Sequence, residues 1–99
     1  MASYTGHESI TVDNTAGGVA LTAATIVGSN IALLTIEDAP MRYTVNGTAP
    51  TTTVGHLVQP GDVIKLGSED EMRKFRAIRT GGVSAVIKAS YGQGGPPWN

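Results

Sequence analysis

Two imidazoles, His7 and His56, and eight carboxylates are the side chains of this 99-residue chain best suited to acid–base or metal chemistry. A Zn, Fe or Mn centre needs several N or O ligands at fixed distance. Two His cannot make a multi-histidine set, and no Glu or second His stands two or four residues after His56. Gly55-His56 therefore reads as a polar or half-buried loop position, and neither a metal nor another cofactor is expected. A serine nucleophile needs His and Asp held in register. The chain has Ser, His and Asp but no G-x-S-x-G elbow. It also lacks a phosphate-binding G-x-x-x-x-G-K-[ST] loop and a G-x-G-x-x-G turn. Glu37-Asp38 and Glu69-Asp70-Glu71 fall in predicted turns and read as solvated acidic corners. No residue is assigned a catalytic role.

Binding offers more. Arg73, Lys74, Arg76 and Arg79 cluster beside the acidic turn at 69–71. On a strand, Lys74 and Arg76 would take one face and Arg73 and Arg79 the other, so they make no single stripe. Ion pairs to the acidic turn, or docking on an acidic protein surface, are the roles that fit. Nucleic acid fits poorly, because the net charge is −1 and base-stacking aromatics are missing around the cluster. Near the chain's end, GQGGPPWN carries Trp98 behind Pro97. Burying a side chain of that size against a neighbour is worth roughly 2–3 kcal/mol. Trp98 and Pro97 are therefore candidate partner-binding residues, either hooking a neighbour or folding back.

The elements that must present these residues are strands. Ser9–Asp13 alternates, with Ile10 and Val12 on one face, and Asn14–Gly18 is a turn by composition. Val19–Thr22 is a short candidate strand. Ile31–Glu37 is nearly all apolar, as a strand buried on both faces would be. Met41–Val45 alternates, with Met41, Tyr43 and Val45 inward and Arg42 and Thr44 outward. Asn46-Gly47 is a tight-turn dipeptide because both residues tolerate positive φ. Gln59-Pro60-Gly61-Asp62 fits a type II turn, Pro60 fixing φ and Gly61 taking φ > 0. The turn predicts a hairpin corner feeding Val63–Leu66. Ser68 and Glu71 match a capping box, so 68–72 reads as one helical turn too short to pack. Lys74–Thr80 and Ser84–Tyr91 read as an antiparallel pair joined at Gly81-Gly82. Seven or eight short strands predict an all-β, jelly-roll-like antiparallel sandwich over residues 9–92. Residues 1–8 and 93–99 are expected as flexible arms.

Composition sets the limits. One domain is expected, with a core built largely of Val, Ile, Leu and Ala, since the chain holds only one Phe, one Trp and three Tyr. Charged residues make up 15% of the chain, against roughly 25% in an average domain, and Thr occupies twelve positions. Low charge points either to surface covered by another protein or to a Thr- and Ser-solvated monomer. Residues 1–41 sum to −4 and residues 42–99 to +3, a weakly polar distribution. Without Cys there is neither a disulfide nor a thiolate metal site. No apolar run approaches the roughly 20 residues of a membrane span, and the first residues lack a signal peptide's basic and apolar regions. Synthesis in a cytoplasm is the expectation.

Gly47-Thr48-Ala49-Pro50, Gly55-His56-Leu57, Pro60–Leu66, Phe75–Gly81 and Ala89-Ser90-Tyr91-Gly92, behind ITVDNTAGGVALT, together span roughly residues 9–92. This run is similar to small all-β proteins encoded among the structural genes of tailed bacteriophages. The resemblance implies a non-enzymatic virion component, above all a capsid decoration (cement) protein that stabilises the major capsid protein shell. It also implies homo-oligomers, trimers among them. Two other readings stand beside it: a tail, baseplate or spike component binding host-surface glycan, and a cupin-like enzyme.

Overall fold

The computed structural model describes residues 3–94, apart from the side chains of Ser3 and Thr5. Seven strands and two short helices follow one another as β1 (Ser3–Val12), α1 (Ala23–Ile26), β2 (Ile31–Glu37), β3 (Met41–Thr44), β4 (His56–Val58), β5 (Val63–Leu66), α2 (Glu69–Lys74), β6 (Arg76–Arg79) and β7 (Ala85–Gln93). They form two antiparallel sheets, one ordered β1-β7-β2-β5 and the other β4-β3-β6. The expected all-β sandwich is the fold.

Alternation along each strand builds the core. Ala32, Leu34 and Ile36 of β2, with Ala85, Ile87, Ala89 and Tyr91 of β7, point inward from the larger sheet. Met41 and Ala77 meet them from the smaller one, and Phe75 and Met72 close the layer. β2 lies between β7 and β5, so both its edges are paired, and Ala32, Leu34 and Ile36 are its core-facing side chains. Its outer side is covered less completely than expected. Ile31 is buried there, whereas Leu33 and Thr35 are half-buried.

Several local expectations change. β1 begins at Ser3, so residues 3–8 are paired strand rather than an arm, and β7 runs to Gln93. His7 accordingly sits on a strand. Val19 contributes a single bridge to Ala77, and the Thr/Ala stretch after it closes into α1, burying Ile26. Thr44, expected outside, is buried because its hydroxyl donates to the Thr48 carbonyl. Residues 69–74 are helical, which moves Arg73 and Lys74 off any strand. Ser68 Oγ accepts from the Glu71 N–H, while the Glu71 carboxylate accepts from Gly67 N–H, a capping box displaced by one residue. The helix packs after all, through fully buried Met72.

Both predicted hairpins are sheet changes. β6 pairs with β3 and β7 with β1 and β2, so Gly81-Gly82 carries the chain between sheets. The Pro60-Gly61 turn likewise carries β4 of the small sheet into β5 of the large one. Its type II geometry is as expected: Gly61 has φ 94°, and Asp62 N–H donates to the Gln59 carbonyl at 3.0 Å. The Asp62 carboxylate also accepts from Gln59 N–H at 2.7 Å. Gly61→Val is expected to lower stability by about 1–3 kcal/mol, since a β-branched residue resists this φ. A Tm equal to the parent's would contradict the turn's role. At the β2–β3 corner Asp38 takes φ 77°, a conformation that Asp tolerates better than most residues.

Candidate functional site

The pairing of β1 with β7 brings the two ends of the described chain together. Ser3 is the register partner of Gln93, and Tyr4 of Gly92. Gly92 in turn pairs with Ile31 across β2. The Asn30 side chain then extends the ladder beyond the last strand residue. Its Nδ2 donates to the Gly94 carbonyl at 2.9 Å, its Oδ1 accepts from Gly94 N–H at 3.0 Å, and Asn30 N–H donates to the Gly92 carbonyl. A side-chain amide has the same donor–acceptor pair as a peptide, so Asn30 acts as one more rung. Gln93 Nε2 donates to the Gly28 carbonyl. Gly94, the last described residue, is therefore held on both its N–H and its carbonyl by one side chain.

Two exposed apolar side chains lie on the segments paired or bonded with Gly92 and Gln93. Val27, next to Gly28, is 68% exposed, and Tyr4 is 39% exposed. Behind them Glu8 holds the corner from inside. Its carboxylate accepts from the Tyr91 hydroxyl and from both the N–H and the hydroxyl of Thr22. Burial, then the hydrogen bond and charge of Glu8, push the Tyr91 phenol far above its ordinary range.

The basic residues do not converge. Arg73 pairs with Glu69 at 2.6 Å and Lys74 with Asp70 at 3.3 Å, both on the exposed face of α2. Such pairs contribute little to stability. Arg76 donates to the carbonyls of Arg73 and Phe75, and Arg79 donates to Ser84 Oγ. The Arg79 Nε is buried without an acceptor among the described residues. The four cations are thus spent on two ion pairs, two backbone carbonyls and one hydroxyl.

A second feature lies at the end of the small sheet. Thr44, Val45, Asn46, Thr48, Val54, Gly55 and His56 line an open groove of about 360 Å³. Asn46 Oδ1 accepts from Thr48 N–H, and Gly47 takes φ 88°, so the expected turn forms the groove's lip. Gly55 must be Gly: at φ 120° an added Cβ would lie 3.0 Å from the Tyr43 carbonyl oxygen. His56 is exposed on β4, its ring 5.4 Å from that of Tyr43, which stacks on Phe75 at 5.5 Å. Among the described residues no three His, Cys, Asp or Glu side chains come together as a metal-binding group. The groove offers hydroxyls, an amide and one imidazole, a set suited to hydrogen bonding a polar ligand.

Asn30 and Glu8 are the site residues that sequence reading missed. A lone Asn before a strand and a lone Glu within one carry no local signal. Trp98 and Pro97 lie outside the described residues. Comparison with protein-family models, curated proteins and solved structures returns no match.

Proposed function

We propose that this protein is a non-enzymatic structural component of a phage particle, docking through its terminal corner on the major capsid protein shell. The reading rests on the resemblance together with one observation. The Ser3–Gln93 register and the Asn30 clamp fix Gly94 at the end of the sheet where Val27 and Tyr4 are exposed. Trp98 follows Gly94 by four residues, hence within about 14 Å of chain. An apolar corner and a nearby large aromatic suit a hook onto a neighbouring subunit, and many copies on one shell add avidity. The natural setting is the virion, after synthesis in the host cytoplasm.

The test is occupancy on purified particles, read by imaging the labelled protein. Because Gln93 and Gly94 are tied to the body, the informative truncation is residues 95–99. It should leave the Tm unchanged and weaken attachment at least about tenfold, the share of affinity that burying one Trp supplies. Full-length protein that fails to reach particles would refute the reading, and undiminished occupancy of the truncated form would remove the hook.

The groove at His56 supports a second reading, a tail or spike component that binds host-surface glycan, because its hydroxyl and amide lining beside Tyr43 matches sugar chemistry. Saturable binding on a glycan array would favour it.

A further inference from the structure

We infer that β1 is a self-recognition edge, through which two copies of this chain pair antiparallel to make one continuous eight-stranded sheet.

The other sheet edges are short or covered. β4 has three residues, β5 has four including Lys65, and β6 is capped by the backbone of Val19, whose N–H and carbonyl bond Ala77 at 2.7 and 3.0 Å. β1 is an edge strand of ten residues. Its partner is β7, and alternate residues of an edge strand direct their N–H and C=O groups outward. Across His7–Val12 none of the backbone bonds among the described residues runs to anything but β7. The segment has no Lys, Arg or Pro, its one inward charge, Glu8, is taken up by Tyr91 and Thr22, and the bulge between Tyr4 and Gly6 lies before it.

The side chains select the occupant. In an antiparallel pair with both cores on the same side, paired residue numbers sum to an even number, because facing residues share a face. A two-fold axis at Ile10 gives Ile10 against Ile10, Ser9 against Thr11 and Glu8 against Val12, and the pairing ends there because the Asp13 carbonyl turns away to accept from Arg79 N–H. On the core side, Ile10 is an apolar residue only partly buried against the core. Glu8 and its Thr22 contacts cover the layer on one side of it, and buried Val12 completes the other. The second Ile10 would close that gap. On the outer side, Ser9 and Thr11 form hydroxyl pairs, which stabilise cross-strand contacts. The strand is thus complementary to itself about this axis, as an isologous contact requires. The axis makes even-numbered assemblies, in contrast to the trimers implied by the resemblance, and does not depend on docking to a shell.

Sedimentation velocity on the full chain over a concentration series should show a monomer–dimer equilibrium in the micromolar range. A monomer throughout, up to millimolar protein, would overturn the inference. The chain has no native cysteine. Ser9→Cys and Thr11→Cys proteins should therefore form a disulfide-linked heterodimer when mixed under oxidising conditions, in preference to either alone, since facing Cβ atoms meet the distance a disulfide needs. Absence of the mixed product would overturn the pairing even if a dimer exists. Ser9→Glu combined with Thr11→Glu, both at exposed positions, places carboxylates opposite one another twice per dimer and should weaken association about tenfold. An unchanged dissociation constant would overturn the proposed register.

Discussion

Phe75→Ala is expected to remove about 3–5 kcal/mol of stability, the range seen for truncating a fully buried aromatic. Phe75 is completely buried, stacks on Tyr43 with a 20° angle between the rings, and sits where α2 ends and β6 begins. Its loss would leave a cavity in the core that it shares with Met72, Met41 and Ala77, all of them buried. A domain of this size has roughly 5–15 kcal/mol in all. The variant should therefore unfold at much lower denaturant concentration, with Tm reduced by tens of degrees or no cooperative transition at room temperature. Phe75→Leu keeps most of the volume and should cost about 1–1.5 kcal/mol. Equal Tm values for the two variants would show that the aromatic volume is not what the core requires.

The second large effect concerns alkaline pH. Tyr91 is fully buried, and its hydroxyl donates to the Glu8 carboxylate. Burial first, then the hydrogen bond and the negative charge of Glu8, raise the phenol well above its ordinary value of 10.0. Tyr43 is raised too, by burial and then by the charge of Glu71. Below pH 10 the folded and unfolded states both hold the phenolic proton, so the full stabilising contribution is present. Above it the unfolded chain ionises while the folded one does not. Stability should then fall with rising pH, by up to about 1.4 kcal/mol per pH unit for Tyr91, less where solvent near half-buried Glu8 screens the charge. Tyr91→Phe is expected to cost about 1–2 kcal/mol at neutral pH, because a hydrogen bond to a charged group is lost. That deficit should shrink above pH 10, where only the parent still loses stability through residue 91. Denaturation curves at pH 7, 9 and 11 test this, and a deficit that stays constant would mean Tyr91 is not linked to the transition.

How much was legible beforehand varies with the range of the interactions involved. The Pro60-Gly61 turn, the Ser68 cap and the alternation of Met41–Val45 depend on neighbours within a few residues; the turn forms as expected, and Ser68 caps its helix while Glu71 reaches back one residue further than a capping box requires. The third shows the limit. Alternation puts Thr44 outside, yet the loop after it returns a carbonyl to its hydroxyl and makes burial acceptable. Gly81-Gly82 has the composition of a hairpin turn but connects strands in different sheets, a distinction no local dipeptide encodes. The acidic-then-basic run 69–74 could have been read as a helix with i,i+4 pairs, Glu69 to Arg73 and Asp70 to Lys74. The local signals instead suggest a single helical turn over 68–72 and a strand from Lys74. The terminal corner was the least legible part, because Glu8 and Asn30 act on Tyr91 and Gly94, many residues away in the chain.

Sequence by itself determined the class of fold: period-two alternation, β-branched residues and closely spaced turn residues leave antiparallel strand layers as the arrangement that buries the apolar positions. Only the tertiary structure decided which strands are neighbours, which edge stays open, and that Gln93 lies beside Ser3. Alternation specifies which face of a strand is buried, but it does not specify which strand lies next to it. That choice follows from how all the apolar faces, loops and backbone hydrogen bonds are satisfied at once.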